Sequence, residues 1–197
     1  MKQDGQFILF ETQKELHDWL LQKVIKRKIK LIQNHHTQSP AYTDFKNDHF
    51  KRLKLMKEYH MKDNGWNDIA QNLTTFPDGS FAICRDLEAD PVGIKGANAG
   101  AICIENLGNF DSGQDQMTSE HRDAIIFLNA LLCKKFSLVV NTDTIVYHHW
   151  YDRDTGKRTN GDGNVKTCPG TAFFGGNSVQ NALNNFIPLI QSALAKL

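Results

Sequence analysis

The amino-acid sequence predicts an α/β protein with a central mixed β-sheet flanked by helices. Short β-branched apolar runs, which are typical of buried strands, alternate along the chain with segments whose apolar residues recur at helical spacing. A length of 197 residues with 40% hydrophobic residues suits one globular core. We find no internal repeat and no linker, so residues 1–197 are expected to form a single domain.

The first helix is predicted over residues 12–23. Thr12-Gln13-Lys14-Glu15 fits a capping box, in which Thr12 accepts a hydrogen bond from the helix start and Glu15 reaches back. One face of this helix is expected to carry the apolar residues Leu16, Trp19, Leu20 and Val24.

A strand and a second helix are predicted next. Ile29, Leu31, Gln33 and His35 alternate along one face of a strand that ends at His35. Residues 37–42 are expected to form a loop. A helix over residues 44–60 follows, and Asn64-Gly65 provides its C-terminal cap.

The middle of the chain predicts a hairpin and a buried strand. Residues 68–76 and 81–85 form the hairpin around the turn Pro77-Asp78-Gly79-Ser80. Residues 86–100 are rich in Gly, Ala and Asn and are expected to form a surface loop. The apolar run 101–105 then predicts a short strand that ends in an acid, Glu105.

The C-terminal part predicts two helices around one strand. Residues 118–136 form a strong amphipathic helix, and residues 145–148 form a strand. A polar excursion over residues 152–165 carries three glycines and no expected core residue. The last helix starts at about Asn177 and is expected to bend at Pro188.

Charge and apolar content argue against several classes of protein. The net charge of +1 gives no strong field for nucleic acid or a membrane surface, and the basic residues at 23–30 lack interleaved aromatics and predict a solvated helix end. Residues 1–10 do not resemble a signal peptide, and no apolar run approaches the ~20 residues that span a bilayer. We therefore expect synthesis in the cytoplasm and no membrane insertion.

Four cysteines are too few and too scattered for a disulfide scaffold. Cys84, Cys103 and Cys133 lie in apolar segments, where cysteine is usually a small core residue. Cys168 differs, because it lies in the polar, turn-forming segment Lys166-Thr167-Cys168-Pro169-Gly170.

Two histidine pairs give Cys168 possible partners. His35-His36 and His148-His149 each lie at the end of a predicted strand. Two imidazoles and one thiolate are the donors of a catalytic zinc that keeps its fourth position for water. Taken singly, each histidine is more often a surface or hydrogen-bonded residue, and each cysteine before Pro-Gly a turn residue. A closed structural zinc site would need His36 or His149 as a fourth ligand, but neighbours on a strand point to opposite faces.

The sequence allows two roles for each of the side chains of Glu105 and Lys166. Glu105 is either a cap for the loop that follows it or a general base beside the metal. Lys166 precedes Cys168 by two residues, so in an extended segment its side chain leaves the same face, either towards an oxyanion or simply into solvent.

Several segments, taken in order, resemble the zinc-dependent N-acetylmuramoyl-L-alanine amidases of the peptidoglycan-recognition-protein and phage-lysozyme superfamily, the type 2 amidases. The resemblance covers residues from about 28 to 175. The matching segments are Asn34-His35-His36-Thr37, Gly65-Trp66-Asn67-Asp68-Ile69, Phe76-Pro77-Asp78-Gly79, the run 101–110, Tyr147-His148-His149 and Lys166-Thr167-Cys168-Pro169-Gly170.

The resemblance implies a role for each candidate residue. The family's three zinc ligands fall on His35, His148 and Cys168, its catalytic glutamate on Glu105, and its lysine two residues before the third ligand on Lys166.

Two departures from the family pattern stand out. The chain has Ala70-Gln71-Asn72 where many members carry Gly-Tyr-His or Gly-Tyr-Asn, so the tyrosine that helps to polarise the scissile carbonyl is missing. Gln71 is expected to donate a weaker hydrogen bond, unless Glu105 and Lys166 do that work. The stretch between His148 and Cys168 is also longer than in compact members and is expected to rim the substrate groove.

The implied function is zinc-dependent hydrolysis of the amide between the lactyl group of N-acetylmuramic acid and L-alanine in peptidoglycan. We expect a monomeric phage or prophage endolysin, or another cell-wall lytic enzyme, that reaches the wall after release. With residues 1–197 as one catalytic domain, no separate wall-binding domain is expected. The alternative is a peptidoglycan-binding module of the same fold that does not hydrolyse its ligand; Cys168 argues against it and the missing tyrosine argues for it.

Overall fold

The computed structural model describes residues 1–197 and contains a seven-stranded mixed sheet with helices on both faces. The strand order is β1-β2-β5-β4-β6-β3-β7. The strands are β1 Lys2–Asp4, β2 Phe7–Phe10, β3 Leu31–His36, β4 Leu73–Thr75, β5 Phe81–Ile83, β6 Ala101–Asn106 and β7 Ile145–Tyr147. Strands β1, β2, β5 and β4 pair antiparallel, whereas β4, β6, β3 and β7 pair parallel. The predicted single-domain α/β class with a mixed sheet is confirmed.

The helices cover the two faces of the sheet unequally. They are α1 Gln13–Gln22, α2 Tyr42–Phe45, α3 His49–Lys62, α4 Ser119–Phe136, α5 Val179–Asn181 and α6 Ile187–Leu194. Helices α1, α4 and α6 pack over the larger apolar core, and α2 and α3 cover a smaller core on the other face. None of the helices combines the length and apolar character that a membrane crossing requires.

Local signals at the ends of helices and turns act as predicted. The backbone N–H of Glu15 donates to Thr12 Oγ1 at 3.2 Å, although the Glu15 carboxylate accepts from the N–H of Glu11 rather than from that of Thr12. Thr118 caps α4 in the same way. Gly65 has φ 68°, and the Trp66 N–H donates to the carbonyl of His60 at 3.0 Å, as in a glycine C-cap.

Three predictions about the helices were wrong in detail. Val24 is 74% exposed, because α1 ends at Gln22. The predicted helix over residues 44–60 is two helices, since Lys46 and Asn47 adopt positive φ and Asp48 starts α3 by accepting from the N–H of Lys51. The last helix was predicted to start at about Asn177 and bend at Pro188; it starts at Val179 and contains a π-helical segment, Ala182–Phe186, that ends two residues before Pro188.

The N-terminal hairpin of β1 and β2 was not predicted, and the hairpin of β4 and β5 has shorter strands than expected. The polar residues of β1 have no apolar alternation, and β2 is a strand because it pairs with the distant β5. Such pairing depends on tertiary context rather than on local sequence.

A buried polar chain connects the helices to the strand that carries His35. Thr75 Oγ1 donates to Asn106 Oδ1, and Asn106 Nδ2 donates to the carbonyl of His35, each at 2.7 Å. Because the Thr75 hydroxyl hydrogen is used, the His121 Nε2–H must donate to Thr75 Oγ1, and the Tyr42 hydroxyl donates to His121 Nδ1. This network requires neutral His121, and burial lowers its pKa to about 3.

We expect His121 to make the protein less stable as the pH falls. The ordinary pKa of histidine is about 6.5, so His121 in the unfolded chain binds a proton below that pH. In the folded protein His121 binds a proton only below about pH 3. The free energy of unfolding should therefore decrease between these values. His121→Gln, which still offers an N–H to Thr75, should make this decrease shallower in urea unfolding at a series of pH values.

His17→Gln removes a partly exposed histidine of α1 that lies outside this network, and it serves as the control for the loss of a histidine as such. Equal slopes for wild type and His121→Gln would contradict the assignment of the pH effect to His121.

Candidate metal centre

Parallel pairing brings two of the candidate residues to one edge of the sheet. In the register of β3 with β6, His35 lies opposite Glu105. Side chains at paired positions leave the same face, which here is the face covered by α3. The carboxyl ends of β3, β6 and β7 meet at this edge, so the residues that follow β7 are delivered there as well.

The prediction that His148 ends a strand was wrong. Strand β7 stops at Tyr147, and His148 opens a 3₁₀ turn, His148–Trp150. A distant segment of the chain stabilises this turn, because the His149 N–H donates to the carbonyl of Cys168 at 2.7 Å. One backbone hydrogen bond therefore holds the segments of both candidate ligands together.

Cys168 is positioned by a tight turn against the loop after β6. The Gly170 N–H donates to the carbonyl of Thr167 at 2.8 Å. Gly170 has φ 117°, and a β-carbon there would lie 2.4 Å from the carbonyl carbon and oxygen of Phe110. Only glycine fits this approach, so Pro169-Gly170 does hold the cysteine in one place.

The three predicted ligand atoms converge. His35 Nδ1 lies 3.2 Å from His148 Nδ1 and 3.5 Å from Cys168 Sγ. All three atoms lie within 4.8 Å of one another, and no other residue belongs to the group. Zinc bonds of about 2.0–2.1 Å to nitrogen and 2.3 Å to sulfur at tetrahedral angles separate N from N by about 3.3 Å and N from S by about 3.6 Å. Both separations from His35 match these values and the third lies within 4.8 Å, so the three donors suit a tetrahedral metal ion whose fourth position takes another ligand.

Burial sets the protonation of these donors. It lowers the pKa of His35 well below its usual value and that of His148 to about 3, with Lys166 adding to both effects. Neutral imidazole is the form that binds a metal. Burial raises the pKa of the Cys168 thiol, so thiolate forms here only beside a cation.

The second histidine of each pair is held by another partner. His36 Nδ1 accepts a hydrogen bond from the N–H of Phe110 at 3.1 Å. His149 Nδ1 lies 2.6 Å from the carbonyl of Lys166, to which it donates. Neither ring belongs to the convergent group, so a closed site of four protein ligands is not formed.

Glu105 and Lys166 both face the same groove as the three donors. Glu105 is partly buried, and burial raises its pKa to about 8, against the opposing effect of the Lys166 charge. A carboxyl group with a pKa near neutrality can both accept and release a proton. Lys166 is exposed at the rim.

The groove has a volume of about 1060 Å³, and α3 forms one of its walls. This wall was not predicted, although its residues Arg52, Met56 and Tyr59 recur at helical spacing. His60 and Trp66 also line the groove, with ring centroids 5.1 Å apart. Arg153 supplies a rim residue from the longer stretch between His148 and Cys168, as predicted.

The expectation that Gln71 donates into the groove was wrong. Gln71 is fully buried, and its Nε2 donates to Thr74 Oγ1 at 3.0 Å. Only its neighbour Ala70 lines the groove. The missing tyrosine is therefore not replaced from this segment.

Comparison with models of protein families gives a match over most of the chain. Residues 25–171 match the family model described as N-acetylmuramoyl-L-alanine amidase. A search of curated protein sequences finds no match.

Solved structures share the fold at low sequence identity. Wild-type Drosophila PGRP-LB is 18% identical with a TM-score of 0.59, and the match covers 81% of this chain and 82% of that one. The amidase LysC from Clostridium intestinale is 22% identical with a TM-score of 0.53, covering 81% and 87%. Peptidoglycan recognition protein LE, solved in complex with tracheal cytotoxin, is 20% identical with a TM-score of 0.57, covering 79% and 85%.

We expect the two histidines of each pair to behave differently towards a metal. His36→Gln and His149→Gln should retain it, because their rings are bonded elsewhere. His35→Gln and His148→Gln should lose it, because each removes a donor of the convergent group. Elemental analysis of the purified variants gives the metal content, and loss in His36→Gln with retention in His35→Gln would reverse the assignment.

Proposed function

Since the chain belongs to the N-acetylmuramoyl-L-alanine amidase family, we propose that it hydrolyses the amide between the lactyl group of N-acetylmuramic acid and L-alanine in peptidoglycan. The observation that carries this proposal is the convergence of two imidazole nitrogens and one thiol beside Glu105 in an open groove. His35, His148 and Cys168 would hold zinc. The chemistry that zinc supplies at such a site is a bound water of lowered pKa and a polarised carbonyl.

Glu105 is the proposed general base. It lies opposite His35 in the sheet register and faces the groove. Burial raises its pKa to about 8, so a cation at the ligand site would be needed to favour its carboxylate form near neutral pH. Its carboxylate accepts the proton of the attacking water and passes it to the amine of the leaving alanine.

Lys166 is the proposed stabiliser of the oxyanion. Its charge affects the pKa of His35, His148, Glu105 and Cys168, so it acts on every group of the centre. A positive charge near a developing oxyanion stabilises it, although water around the exposed Lys166 side chain weakens this effect.

The proposed partner is bacterial peptidoglycan. A structurally similar recognition protein was solved with a monomeric diaminopimelic-acid-type peptidoglycan fragment. The groove of about 1060 Å³ has room for such a ligand. We propose that residues 1–197 act as one monomeric catalytic domain with the function of an endolysin or related cell-wall lytic enzyme.

A binding module without hydrolysis is the second candidate, and the recognition-protein fold of the structural matches supports it. The complete set of three donors beside Glu105 favours the enzyme, since a module that only binds peptidoglycan does not need them.

The test of function uses purified cell walls. The wild type should release new N-terminal alanine, whereas a glycosidase would release reducing sugar ends. Cys168→Ser should lose zinc and activity together, because a neutral hydroxyl is a poor replacement for thiolate. Cys133→Ser, a buried cysteine of α4, is the control and should keep both. Wall binding without new alanine ends would select the binding module, and stoichiometric zinc in Cys168→Ser would overturn the ligand set.

Glu105→Gln isolates proton transfer, because it keeps the shape of the side chain and removes its charge. Activity per zinc-loaded, folded molecule should fall about 10²–10⁴-fold, the usual range for loss of a general base. Zinc content should not change, since Glu105 is outside the ligand group. If Glu105 only caps the loop after β6, stability would fall and turnover would drop less than about tenfold, which would contradict the role as base.

A further inference from the structure

We propose that Gln33 is a positioning residue for the metal ligand His35, and that Gly93 is glycine so that the two side chains can meet. Gln33 would accept a hydrogen bond from His35 Nε2–H and hold the ring with Nδ1 facing the metal. This inference rests on the proposed metal centre and adds a residue that is no part of the ligand set.

His35 has a nitrogen for which the centre provides no partner. Its Nδ1 faces His148 and Cys168. Its Nε2 is buried and lacks any hydrogen-bond partner. When Nδ1 binds a metal, Nε2 carries the ring hydrogen and needs an acceptor. Metal-bound histidines almost always donate this second N–H, and the acceptor fixes the orientation of the ring.

Gln33 carries a complementary unpaired atom. It lies two residues before His35 on β3, so both side chains leave the same face. The side chain is fully buried, and Nε2 donates to the carbonyl of Ala97 at 2.8 Å. A carbonyl can only accept, so this bond fixes which end of the amide is nitrogen. The other end, Oε1, is a buried acceptor without a partner.

Gly93 shows that the two unpaired atoms are neighbours. A β-carbon on Gly93 would lie 2.1 Å from Gln33 Oε1 and 3.1 Å from His35 Nε2. The two atoms are therefore separated by no more than the sum of these distances. The structure shows no direct hydrogen bond between them, so they would pair after a small side-chain movement or through one bridging water.

The loop that carries Gly93 is built to hold this arrangement. Asn98 Oδ1 accepts from the N–H groups of Gly93 and Ile94, each at 2.9 Å. The same loop contributes the Ala97 carbonyl that orients the Gln33 amide. Cys103 Sγ also lies 3.0 Å from the β-carbon position, but sulfur is a weak acceptor.

The main test measures the zinc dissociation constant of the folded protein by chelator competition. Gln33→Leu should raise this constant about 10–100-fold, the usual effect of losing such a partner. Gly93→Ala should have a similar effect, because its β-carbon takes the place of Gln33 Oε1. The double variant should bind no more weakly than either single variant, since both remove the same hydrogen bond.

Gln71→Leu is the matched control. Gln71 is equally buried, also has an unpaired Oε1, and lies outside the ligand group. It should change thermal stability as much as Gln33→Leu does but leave zinc affinity at the wild-type value. Equal loss of zinc affinity in both variants would show general destabilisation and overturn the proposal.

The remaining outcomes separate this inference from the proposed function. Wild-type zinc affinity in Gln33→Leu, with normal release of alanine ends by the wild type, would overturn the role of Gln33 alone. Absence of zinc binding by the wild type would overturn the metal centre and this inference together.

Discussion

The parallel pairing of β3 between β6 and β7 is the constraint on which the site depends. It places His35 opposite Glu105 and ends β7 where His148 must turn. A slip of one residue would send every side chain of β3 to the other face. Asn34 opposes such a slip, because its buried amide exchanges hydrogen bonds of 2.8 and 3.1 Å with Asn129 of α4. Unpaired, these amides would each cost about 1–3 kcal/mol, so the core face of β3 fixes the register that its site face uses.

Burial acts in two directions within the centre. It keeps His35 and His148 neutral and ready to bind a metal, but it opposes ionisation of Cys168. A cation removes this conflict, since it favours the thiolate and leaves the imidazoles neutral. Metal binding should therefore be coupled to folding and to proton release, because the thiol proton leaves only when the ion arrives.

Features that depend on neighbouring residues in the sequence were predicted, whereas features that depend on contacts between distant segments were not. The Thr12 cap and the turn at residues 77–80 are local, and both form as predicted, although Glu15 reaches back to Glu11 rather than to Thr12. The three donors were placed by motif order, and the structure brings them together. The 3₁₀ turn at His148 depends on a hydrogen bond from a segment about twenty residues away, so no local pattern predicts it. Gln33 was predicted only as one position of a strand, because Gly93, which lies next to its side chain, is sixty residues away in the sequence and is brought there by the fold.

The burial of Gln71 changes the electrostatic demands on the rest of the groove. With no hydroxyl or amide from that segment, the exposed rim cations Lys166 and Arg153 remain to oppose a developing negative charge in the proposed reaction. The same charge lowers the pKa of Glu105, which burial alone would raise further above neutrality. A carboxyl group with a pKa of about 8 still holds its proton for most of the time at neutral pH, so the charge of a bound cation would be needed as well before it could accept a proton from water. In the proposed reaction Lys166 would therefore have two effects: it would favour the ionised form of Glu105 before attack and oppose the oxyanion charge after it.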